Sequence, residues 1–222
     1  MKVRTQNFNA GRPWSGKRAG FTLVELLLVI AVLTLLAMAT VPAMRGSLDG
    51  ITIRGAADLM ESEFSLGRQA ALSRNLPVEV RIYRYDDGSG AAWRMVATVI
   101  PAAVSNQAAD EWITPGRVLP GGVVMDDSEE YSTVLSNTMS EGDVRQRPWT
   151  GVEAGTAPGK LKDLPYVAFR FKPDGSTSLG GAEPWCLTLK NPLSQSVGNA
   201  PAANYVSLVL DSHTGRVLFY QP

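Results

Sequence analysis

The chain has 222 residues, 21 of them basic and 21 acidic, which makes a single ordinary domain once a short leader and one hydrophobic segment are set aside. A lone Cys186 and a lone His213 exclude an intramolecular disulfide, a thiol redox pair and a structural zinc site built from thiolates, and they remove most catalytic arrangements that use imidazole as a base. Charge is unevenly spread: Lys2, Arg4, Arg12, Lys17 and Arg18 stand in residues 1–20 without an acid, and taking those five from 21 leaves 16 basic against 21 acidic residues, a formal −5 that argues against nucleic acid as the main partner.

From Phe21 to Val41 the only charge is Glu25, and Thr22, Thr34 and Thr40 are the other polar groups. As a helix this run would be about 31 Å long, against a hydrocarbon core of roughly 30 Å. It predicts a single-pass membrane helix. The basic excess before it, against Arg45 alone just after it, predicts a cytoplasmic N-terminus and an exported body. Three readings fit the pattern. A cleaved secretory signal would have an apolar region of roughly 7 to 15 residues, with Ala37–Ala39 imitating its cleavage site. A plain signal anchor accounts for length and flank and leaves Glu25 without a reason. In the third reading the acid is functional, as carboxylates at membrane depth generally are.

Gly20-Phe21-Thr22-Leu23-Val24-Glu25 resembles the processing site of type IV prepilins and type II secretion pseudopilins, in which a basic leader ends in Gly, cleavage exposes Phe, and Glu lies four residues further on. The resemblance implies that a prepilin peptidase cuts between Gly20 and Phe21 and methylates the new amine of Phe21. It also implies that Phe21, Thr22 and Glu25 serve filament assembly. Glu25 would pair with the cationic amine of Phe21 on a neighbouring subunit, so that its unpaired charge is neutralised only in the filament, favouring assembly and setting axial register. The implied partners are the peptidase, other pilin or pseudopilin subunits, an inner-membrane assembly platform and membrane lipid. The implied location is the bacterial inner membrane, then a periplasmic filament.

Pro42, with Gly46, Gly50 and Gly55 behind it, predicts a helix kink or a weakened segment at Pro42, or else plain termination. Residues 55–75 read as an amphipathic helix, with Ala56, Leu59, Met60, Phe64, Gly67, Ala70 and Ala71 on one face and Asp58, Glu61, Glu63, Arg68 and Arg74 elsewhere. Asn75 and Pro77 end it. After Pro77 the period becomes two: Val78, Val80 and Ile82 alternate with Glu79, Arg81 and Tyr83, and a turn at Asp86–Gly90 leads to a strand over 93–100. Residues 101–163 predict an elaborated loop region with one or two strands, containing short apolar pieces at 117–125 and 131–135. Strands follow at 166–171, 185–190, 205–210 and 216–220, with turns at Lys172–Gly175 and Asp211–Gly215.

The expected fold class is α+β, a long N-terminal transmembrane and spine helix packed against an antiparallel β-sheet. The expected divisions are a leader over 1–20, an assembly helix over 21–45 and an exported body over 46–222. Phe171-Lys172-Pro173-Asp174-Gly175 and Thr214-Gly215-Arg216-Val217 resemble turns of the H-type minor pseudopilins and their FimT-like relatives, which implies a pilin-like body. The likeness covers the first 75 residues well, the last 60 loosely and the middle hardly at all. Acidic pairs at Asp86-Asp87, Asp126-Asp127 and Glu129-Glu130 suit solvated turns better than a calcium loop. With no cofactor or metal expected and no G-x-S-x-G elbow, the chain reads as a structural subunit and not as an enzyme. The alternative is a FimT-like pilin that binds DNA for uptake, for which the terminal hairpin offers Arg216 without a cluster.

Overall fold

A computed structural model of the chain describes residues 20–139, 146–153, 157, 159–192 and 204–221, with the side chains of residues 39–48 left aside. The leader expected over 1–20 lies outside the described residues except for Gly20. The chain divides into two compact units, 1–44 and 45–222, and the architecture is α+β. The elements in order are α1 (Leu23–Arg74), β1 (Val78–Asp86), β2 (Ala91–Ile100), α2 (Ala102–Ser105), β3 (Glu111–Trp112), β4 (Arg117–Val118), β5 (Val124–Met125), α3 (Thr133–Ser136), β6 (Trp149–Val152), β7 (Pro165–Phe171), β8 (Trp185–Lys190), β9 (Tyr205–Leu210) and β10 (Val217–Tyr220).

α1 is a single helix of 52 residues. Its backbone stays helical through Pro42, Gly46, Gly50 and Gly55, so Pro42 does not terminate it. Proline removes one helical hydrogen bond, and an element this long has many turns on either side to hold the geometry. The helix stops where expected, at Arg74, with Asn75 in the left-handed region at φ 54° as a C-terminal cap.

Within unit 45–222 the later part of α1 supplies one wall of the core. Ile53, Ala56, Ala57, Met60, Phe64 and Ala71 are buried at three- and four-residue spacings. Gly67 lets the helix approach closely, since a Cβ there would meet Phe171, Thr98 and Val80 at 3.2 to 3.4 Å. Phe64 sits edge-to-face on Phe169, ring centres 5.5 Å apart, and Phe169 meets Phe171 at the same separation. Each such pair contributes about 0.5–1.5 kcal/mol beyond area burial.

Two antiparallel sheets cover this wall where the sequence predicted one. The six-stranded sheet runs β3-β2-β1-β7-β6, with β4 also on β2; the four-stranded sheet runs β10-β9-β8-β5. The helix stripe is wide, and Val206, Leu208 and Leu210 of β9 join the same core cluster as Val80 and Ile82 of β1. The described residues of segment 101–163 contribute four strands of two to four residues, two short α-helices and two single-turn 3₁₀ helices, more order than the one or two strands expected. The apolar piece at 131–135 becomes α3, with Val134 and Leu135 buried.

Both faces of β1 are covered: Glu79, Arg81 and Tyr83, which alternate with Val78, Val80 and Ile82, are buried along with them. Arg81 bonds Glu79 at 2.7 Å, Asp110 at 2.8 Å and Glu153 at 2.9 Å, and its guanidinium lies 4.9 Å from the Tyr166 ring centre. Tyr83 donates to Glu153 at 2.7 Å, and Arg170 bonds the second oxygen of Glu79 at 3.1 Å. Burial opposes charge on Arg81, but Glu79 and Glu153 outweigh it and hold the guanidinium above its already high ordinary value. Burial, then Glu153, raises the Tyr83 phenol and keeps it protonated. The cluster ties the segments carrying Asp110 and Glu153 onto the outer face of the larger sheet. Replacing Arg81 with Leu leaves Glu79 and Glu153 buried without their shared cation, and should destabilise the body by about 3–5 kcal/mol, read as a lower urea midpoint; a shift near zero would mean the cluster is solvated.

Candidate functional site

In unit 1–44 the helix begins immediately after the residues singled out for processing. Thr22 precedes α1, and its Oγ1 accepts the Glu25 N–H at 3.2 Å, while its carbonyl accepts the Leu26 N–H at 3.1 Å. Thr22-Leu23-Val24-Glu25 thus has the spacing of a capping box, with an acid in the first turn, where the helix dipole favours it. Thr34 donates to the Ile30 carbonyl at 2.6 Å, so its hydroxyl needs no partner outside the helix.

Gly20 and Phe21 sit ahead of that cap in open space. Nothing lies within 4 Å of where a Gly20 Cβ would be, and its φ is not in the left-handed region. Nothing among the described residues therefore requires glycine at position 20. Phe21 is 76 % exposed, and Leu23, Val24, Leu26 to Ile30, Val32, Leu33, Leu35, Leu36 and Met38 are all exposed large apolar side chains. They encircle the helix, so it has no polar side to turn toward water. Among the described residues the Glu25 carboxylate makes no ion pair. No helix among them is long and apolar enough to cross a membrane; the described side chains of this segment stop at Met38 and resume at Asp49, short of the 21-residue run expected. Pro42 falls in that gap, on helical backbone.

The two C-terminal turns, distant in sequence, meet against one arginine. At the first, Gly175 N–H bonds the Lys172 carbonyl at 2.9 Å and Asp174 Oδ1 accepts the Ser176 N–H at 2.9 Å. At the second, Gly215 N–H bonds the Asp211 carbonyl at 2.8 Å and Thr214 donates to Asp211 at 2.7 Å; the Thr214 and His213 bonds hold the Asp211 carboxyl below its ordinary value. Arg68 of α1 donates to the Thr214 carbonyl at 2.8 Å and the Gly175 carbonyl at 3.3 Å. Spacing alone placed Arg68 on the polar side of the helix; no sequence signal identified it as the clasp for both turns.

Glu63 was likewise placed off the apolar face, and it is 1 % exposed. It accepts from Thr114 at 2.7 Å and Thr98 at 3.1 Å and pairs with Arg117 at 3.0 Å, which anchors residues 114–117 to the helix. The other candidate chemistry is structural in its contacts. Asp86 Oδ1 accepts the N–H groups of Gly88 and Gly90 at 2.8 and 3.0 Å. Asp126 pairs with Lys190 at 2.8 Å, where Lys190 and Ser128 overcome burial and lower its pKa. Cys186 is half-buried with Sγ 3.6 Å from Thr133 Oγ1, and His213 is exposed in its turn. Among the described residues no group of three or more His, Cys, Asp or Glu side chains could hold a metal ion.

Gly215 has φ 64°, and a Cβ there would lie 2.4 Å from the Gly175 carbonyl oxygen. Gly215→Ala should cost about 1–3 kcal/mol, seen as a lower thermal midpoint, whereas Gly20→Ala should leave it unchanged.

Residues 15–41 match the model of the prokaryotic N-terminal methylation motif. The match coincides with the Gly20–Phe21 junction, the cap and the apolar helix; it supports a type IV pilin-like chain, processed by a prepilin peptidase and assembled with other pilin subunits. No curated protein and no solved structure matches the chain.

Proposed function

We propose that the chain is a minor pseudopilin of type II protein secretion, closest to the H-type group. Its precursor is held in the bacterial inner membrane by the apolar part of α1, with 1–20 cytoplasmic and 46–222 periplasmic. A prepilin peptidase cuts between Gly20 and Phe21 and methylates Phe21, and the inner-membrane platform then draws the helix into a short periplasmic filament. The chain acts as a structural subunit, without catalysis or cofactor.

One observation carries this reading: the motif match falls on a junction that the fold does not require. Among the described residues nothing would meet a side chain at Gly20, which suits a need outside the folded chain, such as an extended peptide lying in a protease cleft. The peptide bond ahead of Phe21 precedes the Thr22 cap, so cutting there leaves the helix intact. The amine so created and the Glu25 carboxylate have opposite charge in an apolar setting, where an unpaired charge is far costlier than a pair. Between neighbours in a filament they neutralise each other and fix the stagger. The formal −5 of the remainder of the chain supports export over DNA uptake, which depends on phosphate contacts.

Two substitutions separate processing from assembly. Gly20→Trp should leave uncut precursor in the membrane fraction, visible as a slower-migrating band; normal maturation would remove the cleavage site from position 20. Glu25→Ala should be cut and inserted normally but be lost from sheared filaments by ten-fold or more; wild-type incorporation would eliminate the register role.

A further inference from the structure

β10 is the edge strand of the smaller sheet, and Leu218, Phe219 and Tyr220 on it are 65, 42 and 59 % exposed. Asp211 N–H bonds the Arg216 carbonyl at 2.9 Å, so antiparallel alternation turns the backbone groups of Val217 and Phe219 away from β9. Apolar edges of this kind are ordinarily protected by charge, proline or a cover. The strand runs antiparallel to α1: Leu218 lines a groove with Glu61 and Ser65, Phe219 lines one with Arg54 and Asp58, and Arg54 bonds Gln221 at 3.3 Å. The tip of β10 therefore points toward the start of unit 45–222, where Ile51 is 67 % exposed.

We propose that Ile51, Leu218, Phe219 and Tyr220 seat in the headgroup layer of the lipid bilayer, docking the body on the membrane that anchors it before assembly. The inference rests on the membrane-anchor reading above. Ile51 follows Val41, the end of the expected span, by only ten residues of chain. The surface is thus tethered beside lipid, and tethering turns a weak contact into an intramolecular one. A tyrosine flanked by aliphatic and aromatic side chains has the composition favoured at a membrane–water interface. The exposed Arg54 and Arg216 are offset by the exposed Asp58 and Glu61, so apolar contact holds the surface and anionic lipid is not required. Extraction of the helix into a filament would free this edge.

The test uses the full chain in phosphatidylcholine nanodiscs, with nitroxide labels at Leu218→Cys or Tyr220→Cys in a Cys186→Ser background. Ser73→Cys, in the last turn of α1, is the reference; all three labelled positions are exposed, so the label needs no room in the core. Oxygen, which partitions into lipid, should relax labels 218 and 220 several-fold more, relative to a water-soluble nickel chelate, than label 73, with no change in concentrated salt. Labels 218 and 220 that match label 73, in a chain retained by the disc, would overturn the docking and leave the anchor reading intact. A chain that fails to enter the disc would overturn both. Spin–spin broadening in discs holding two copies, without preference for oxygen, would also overturn it and assign the edge to a second copy of the chain.

Discussion

A carboxylate on a helix without a polar side is the constraint to which the N-terminal segment answers. Glu25 stands in the first turn of α1, with exposed Leu, Val and Ile on every side of it. Such a helix is stable in lipid or against other apolar helices, and in either place an unpaired charge costs several kcal/mol. The Thr22 cap and the helix dipole lessen that cost at this end, but neither cancels a full charge. A cation supplied by a neighbour does. On the proposed reading, proteolysis at Gly20 creates that cation at the residue before the cap, and the acid becomes a device for adding subunits in one register.

The body depends on electrostatics of another kind. Its core, formed by the later part of α1 between two sheets, is apolar, but the connections between elements are held by buried or half-buried charges. Glu63 fastens residues 114–117 to the helix, Arg81 gathers carboxylates from three segments, and Arg68 clasps the turns at Gly175 and Gly215. Buried pairs of this sort add little net stability over apolar packing. They do penalise any arrangement in which one partner is missing. That suits a chain whose residues 101–163 have short strands and little periodic apolar pattern of their own.

Legibility in the sequence followed the length of each pattern. The apolar run with its lone acid, the face over Ala56–Ala71, the hairpin after Pro77 and the strands at 166–171, 185–190 and 205–210 repeat long enough to set a period. β3, β4 and β5 have two residues each, and no alternation exists over two residues. One sheet was expected where there are two, because strand patterns carry no record of which strands pair. Spacing put Glu63 off the apolar helix face and Glu79 and Arg81 in alternation with apolar residues, and it showed nothing of their burial. Their burial depends on partners 29 to 72 positions away in sequence, such as Asp110, Thr114 and Glu153, which local spacing cannot reveal. Arg68 escaped notice for the same reason, since the glycine turns it holds were legible singly and their meeting was not. The motif matched over residues 15–41 was legible because its residues are contiguous.

The first residue of the mature protein decides whether Glu25 gains its cation. N-terminal sequencing of the chain recovered from membranes of a cell with an active prepilin peptidase should begin with N-methylated Phe21, followed by Thr22, Leu23, Val24 and Glu25. A sequence beginning at Met1, after Ala39, or at any other residue would contradict that pairing, because Glu25 would then have no proteolytically generated cation four residues away to pair with.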